Sequence, residues 1–83
     1  MKVEISKSAR GALFKSNKRA LLTRKILELA RDPDVLRANV IRLQGRADFR
    51  LRVQDWRIIF RIEDDTLFVD EIEPRGSAYE DRA

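Results

Sequence analysis

The chain has 83 residues, with 18 Lys+Arg against 14 Asp+Glu and a formal net charge of +4, which is one domain with a thin core that buries about 60–65% of its unfolded surface. It contains neither cysteine nor histidine, which excludes disulfides, thiolate metal sites and every Ser-His or Cys-His nucleophile pair. No metal or cofactor is therefore expected, and any chemistry must come from Arg, Lys, Tyr, Ser and carboxylates.

In chain order, Lys2 to Ile5 alternates polar and apolar and reads as a short first strand. Ser6 or Ser8 can cap a helix that runs to about Lys15 and buries Ala9, Ala12 and Leu13. Ser16-Asn17 breaks that pattern and offers the next cap. Lys18 to Arg31 then follows helical spacing, with Leu22, Ile26, Leu29 and Ala30 on the buried side and Leu21 beside them. Asp32-Pro33 stops it, because the residue before proline avoids the helical region. The short link makes the two helices an antiparallel hairpin, read as core scaffold. Asp34 to Asn39 connects, with room for a turn of helix. From Val40 the period changes to two. Val40 to Leu43 is a strand closed by a turn around Gly45-Arg46-Ala47-Asp48, and Phe49–Val53, Trp56–Ile62 and Thr66–Ile72 are three more, separated by Gln54-Asp55 and Asp64-Asp65. Residues 73–83 form a polar tail.

This order predicts a single α+β domain over 1–83: an N-terminal strand and an α-helical hairpin packed on a mainly antiparallel sheet. Met1-Lys2-Val3-Glu4 lacks the apolar run of a signal peptide and no stretch is long enough to span a bilayer, so the expected address is the cytoplasm with no membrane partner. Charge is segregated. Residues 1–61 hold 16 Lys+Arg against 6 acids, whereas residues 62–83 hold 2 Arg against 8 acids. A basic body favours an anionic partner, although lopsided charge also serves solubility.

The middle hairpin concentrates that charge. With Gln54-Asp55 as a two-residue turn, Val53 faces Trp56, Arg52 faces Arg57, Leu51 faces Ile58 and Arg50 faces Ile59. Side chains alternate between faces, so Phe49, Leu51, Val53, Trp56, Ile58, Phe60 and Ile62 belong against the helices. The opposite face carries Arg50, Arg52, Arg57 and Arg61, with Ile59 among them. Like charges set opposite one another destabilise a sheet. Two readings compete: Asp70, Asp65 or Glu63 neutralises the cluster, or a polyanion occupies it. Guanidiniums suit phosphate through paired hydrogen bonds. Arg75 follows the last strand with Tyr79 four residues beyond, where an aromatic ring can stack on a base or simply pack over the sheet edge.

Three segments carry a resemblance: Leu43-Gln44-Gly45, the hairpin from Phe49 to Phe60, and Pro74-Arg75-Gly76-Ser77-Ala78-Tyr79. Together they resemble the RelE/ParE superfamily of toxins from type II toxin–antitoxin systems, over nearly the whole chain. The family's pattern is a leucine-x-glycine, an aromatic-basic-x-basic strand, a turn, an aromatic-Arg-hydrophobic strand and an Arg-x-x-hydrophobic-Tyr tail. Resemblance to the RelE branch implies the RelE-like microbial ribonuclease fold and a ribosome-dependent messenger-RNA endonuclease that inhibits translation. Its implied partners are a cognate antitoxin and messenger RNA in the ribosomal A site. In that branch the RNA's own 2′-hydroxyl attacks the adjacent phosphate, leaving a 2′,3′-cyclic phosphate and a 5′-hydroxyl. Position by position, Arg50 and Arg52 match the family's basic strand pair, Arg57 its transition-state arginine, Arg75 its tail arginine and Tyr79 its terminal tyrosine. The arginine array adds Arg61 as a further phosphate-binding candidate. Fixed cations stabilise charge on a pentacoordinate phosphate without histidine, and Tyr79 among guanidiniums suits the role of base.

The chain departs from that pattern in two places. The Gly-His that often precedes the tail arginine is Glu73-Pro74 here, which sets an acid beside the expected site. The strand pair is Arg-Arg where some members have lysine, and arginine does not give up its proton, so the donor to the leaving group is unassigned. The rival readings are the ParE branch, which poisons DNA gyrase on the same fold, and a catalytically silent module that binds RNA or antitoxin. ParE-like chains generally lack the arginine-plus-tyrosine set, and mapping message 5′ ends after expression with and without a neighbouring antitoxin separates all three.

Overall fold

The computed structural model describes residues 1–43 and 48–74. The first strand, β1 (Lys2–Ile5), leads through Ser6 into helix α1 (Lys7–Lys15). Of the two candidate caps, Ser6 is the one used: its Oγ accepts from the Ala9 N–H at 3.0 Å and donates to the Asp70 carbonyl at 2.8 Å. One side chain thus satisfies an open helix donor and ties the helix start to the last strand. Helix α2 (Arg19–Arg31) begins one residue later than the spacing predicts and has no side-chain cap. Ser16 Oγ is occupied in a local turn, accepting from the Lys18 N–H at 2.9 Å. Asp32 ends α2, and its carboxylate caps the following 3₁₀ segment Pro33–Asn39 through the Asp34 N–H at 3.1 Å.

The remaining strands are β2 (Val40–Arg42), β3 (Phe49–Val53), β4 (Trp56–Glu63) and β5 (Thr66–Pro74). They form a five-stranded sheet in the order β1-β5-β4-β3-β2, antiparallel except for the parallel β1–β5 pair. The expected four-stranded run is therefore extended by β1, which the sequence left without a partner. The expected turn at Gly45-Arg46-Ala47 lies outside the described residues, although the Leu43 N–H donates to the Asp48 carbonyl at 2.9 Å across its mouth. In the Asp64-Asp65 turn both residues have positive φ, 50° and 58°, as a two-residue hairpin of matching twist requires.

The core lies between the helices and one side of the sheet. Ala9, Leu22, Ile26, Leu29 and Ala30 from the helices pack with Leu51, Val53, Ile58, Phe60, Leu67, Val69 and Ile72. Phe49 and Phe60, cross-strand partners, stack with ring centroids 5.5 Å apart. Ile62 shares this side but is 36% exposed.

The pairing of β4 with β5 is interrupted once. Ile59 pairs with Glu71 while Phe60 pairs with Val69, so Asp70 is an extra residue in β5. This bulge changes the alternation of the strand. Leu67 and Val69 face the core before it, and Ile72 faces the core after it.

Candidate nucleic-acid interface

The hairpin register is the one the sequence predicts: Val53 opposite Trp56, Arg52 opposite Arg57, Leu51 opposite Ile58 and Arg50 opposite Ile59. Because Leu51, Val53, Ile58 and Phe60 are in the core, Arg50, Arg52, Arg57 and Arg61 project from the other side of the sheet. Ile59 projects with them and is nonetheless buried, at 6% exposure, outside the core cluster. It forms an apolar spot in the middle of the charged face.

The four arginines divide into two groups. Arg61 is engaged on every side: Nη1 lies 2.9 Å from Glu63 Oε1, Nε donates to Asp70 Oδ2 at 3.1 Å, and the guanidinium stacks 4.2 Å above the Phe68 ring. Burial draws its pKa down, but the charge of Asp70 and the hydrogen bonds Arg61 donates to Glu63 and Asp70 outweigh this and leave it raised. The side chains of Arg50, Arg52 and Arg57 make no ion pair or hydrogen bond among the described residues. The neutralising reading thus holds for Arg61, through Glu63 and Asp70 and not Asp65. The expectation of four open guanidiniums is corrected to three.

Those three share a cleft. Arg50, Arg52 and Arg57 line a cavity of about 380 Å³ together with Gln54, Trp56, Asn39, Ala38 and Ile41. Arg50 and Arg57 are half-buried and Arg52 is exposed. The hairpin supplies the cations, and the 3₁₀ segment with β2 supplies the polar and apolar wall. Sequence reasoning missed Asn39, Ile41 and Gln54 as wall residues. Ile41 was legible in principle, since its β2 register sets it opposite Arg50.

No protein-family model matches the chain. No curated protein matches it either. Solved structures do. The chain is similar to the archaeal RelE of the RelE–RelB complex from Pyrococcus horikoshii, at 30% identity over 90% of this chain and 94% of that one, with a TM-score of 0.67. The chain belongs to the RelE-like toxins. Further RelE-like similarities are to the Methanococcus jannaschii RelB–RelE antitoxin–toxin complex and the isolated Escherichia coli RelE toxin. The first gives 19% identity, 93% and 95% coverage and a TM-score of 0.74. The second gives 20% identity, 98% and 93% coverage and a TM-score of 0.72. The α+β architecture is accordingly the RelE-like fold. The tail candidates of the RelE-like pattern, Arg75 and Tyr79, lie outside the described residues. Among the described residues, no helix is long and apolar enough to cross a membrane.

Proposed function

We propose that this chain is the toxin of a type II toxin–antitoxin pair and cuts messenger RNA on the ribosome, with the RNA's 2′-hydroxyl as nucleophile. The observation that carries this reading is the set of three arginines, Arg50, Arg52 and Arg57, that make no ion pair among the described residues and share one cleft on the side of the sheet away from the helices. A protein that needed them only for solubility gains nothing by placing Arg52 directly opposite Arg57, where the two repel. A phosphate between them removes that repulsion and accepts paired hydrogen bonds from each.

In this reading Arg50 and Arg52 hold the RNA backbone, and Arg57 meets the charge that develops on the pentacoordinate phosphate. The strands fix these cations before substrate arrives, which is where electrostatic stabilisation gains its effect. Arg75 and Tyr79 complete the set by resemblance, Tyr79 as a proton-transfer group. Arg61, already satisfied by two carboxylates, supports the sheet and does not bind phosphate. A cognate antitoxin covers the arginine face with an acidic or amphipathic segment and, by mass action, stabilises the small fold.

The test is a cleavage assay on ribosomes carrying a defined message, with 5′ ends mapped. Arg57→Ala should slow cutting about 10²- to 10³-fold. Binding to single-stranded RNA should weaken with salt at a log–log slope of about −2, since three phosphate contacts contribute about −0.7 each. A slope near zero, or gyrase inhibition with intact message, contradicts the proposal.

A further inference from the structure

Cleavage by a 2′-hydroxyl needs a group that accepts the proton of that hydroxyl. None of the three open arginines can do so, because a guanidinium stays protonated. The strand carboxylates on the arginine side are few. Glu63 and Asp70 are held by Arg61. Glu4 stands on β1, at the far edge of the sheet. Glu71 is exposed opposite Ile59. Glu73 differs from all of these. It is half-buried, makes no ion pair among the described residues, and is the cross-strand partner of Arg57.

Its position is the work of the bulge. In the register that holds from Phe60 to Glu63, residue 73 of β5 would fall opposite Trp56 and point into the core. The extra residue at Asp70 reverses the alternation and turns Glu71 and Glu73 out to the arginine side. Bulges re-aim side chains in this way and are frequent beside active sites. This one is itself pinned, by Arg61 on the Asp70 side chain and by Ser6 on the Asp70 carbonyl.

We infer that Glu73 is the proton acceptor for the attacking 2′-hydroxyl, an inference that rests on the ribonuclease reading and deepens it. The 2′-O–H proton passes to the Glu73 carboxylate as the 2′-oxygen forms its bond to phosphorus. The P–O5′ bond breaks with its electron pair on the 5′-oxygen, which takes a proton from water. The products are a 2′,3′-cyclic phosphate and a 5′-hydroxyl, and Arg57, directly across from Glu73, balances the charge on phosphorus between these events. The assignment moves the role of base from Tyr79 to Glu73.

Single-turnover cleavage of ribosome-bound message by the full chain tests it. Glu73→Gln should cut about 100-fold more slowly or worse, while its affinity for a 2′-deoxy message is no weaker than that of the wild type and the chain stays folded by circular dichroism. Glu73→Ala should regain activity as sodium formate is added, because a free carboxylate can enter the space, whereas sodium chloride at matched ionic strength should not help. Glu71→Gln should retain the wild-type rate. Glu73→Gln cutting at the wild-type rate, or folded Glu73→Ala indifferent to formate, overturns the assignment and leaves the nuclease standing. A wild-type chain that cuts no message overturns the ribonuclease reading and this assignment with it.

Discussion

Replacing Arg52 with Gln should make the protein more stable and a poorer RNA binder at once. Arg52 and Arg57 are cross-strand partners with no counter-ion among the described residues. Partners of this kind hold their Cβ atoms about 5 Å apart, and long side chains splay outward, so the two guanidiniums stand about 6–8 Å apart. In a water-like medium that repulsion is about 0.5–0.7 kcal/mol before screening. At about 0.01 M salt, with a Debye length of about 30 Å, most of it survives; at about 0.15 M, with a length of about 8 Å, roughly 0.2–0.3 kcal/mol is left. For a domain of 83 residues these energies correspond to a rise in melting temperature of about 3 °C at low salt and about 1–2 °C at physiological salt. Thermal unfolding followed by circular dichroism at the two ionic strengths measures this, and the same variant should flatten the salt slope of RNA binding by about 0.7. A variant that melts at or below the wild-type temperature at low salt, or whose gain ignores salt, would refute the claim that Arg52 and Arg57 repel one another in the free protein.

Two other substitutions separate scaffold from site. Arg61→Gln removes the partner of Glu63 and Asp70 and the cation above Phe68; the melting temperature should fall while the salt slope of RNA binding stays as it was, and a changed slope would place Arg61 among the phosphate contacts. Leu22→Ala empties a fully buried position of α2 and should cost about 2.7–5 kcal/mol. That is a large share of a total of about 4–12 kcal/mol for this length, so urea denaturation should show a clearly lowered midpoint, and a loss under about 1 kcal/mol would contradict the packing.

The hairpin was legible because two local rules agreed. Period-two alternation fixed the faces of Phe49–Val53 and Trp56–Ile62, and a two-residue turn left one register to join them. Both helices were legible for the same kind of reason, a 3.6-residue period with a clear stop, Ser16-Asn17 for the first and Asp32-Pro33 for the second. What was not legible is non-local. Lys2–Ile5 announces a strand, but nothing within four residues names β5 as its parallel neighbour more than sixty residues away. The fate of Arg61 depends on which β5 residue stands near it, and hence on the bulge. A trace of that bulge is present in the sequence, since Leu67, Val69 and Ile72 break an otherwise even alternation. Read as a plain strand over Thr66–Ile72, the segment offers no reason to expect Glu73 on the arginine side.

The segregation of charge along the chain becomes a gradient across the sheet. Moving from β5 through β4 to β3, the outward residues run from Asp70, Glu71 and Glu73, to Arg57, Ile59 and Arg61, to Arg50 and Arg52. On the ribonuclease proposal, a phosphate chain would be repelled by the first row and held by the last, so the strand to be cut would belong over β3 and β4, on the side where Asn39 and Ile41 complete the cleft. The column between is where the signs meet, and Arg57 stands in it with Glu73 on one flank and Arg52 on the other. On the same proposal, a scissile phosphate drawn onto Arg52 and Arg57 would have a carboxylate one strand away on the β5 side, where the proposed 2′-hydroxyl attack needs a proton acceptor. Reversing the gradient's acidic edge with Glu73→Lys adds attraction at some cost in stability, so it should tighten RNA binding while stopping the cut. Tighter binding with undiminished cutting would mean that the acidic row matters only as a repulsive border.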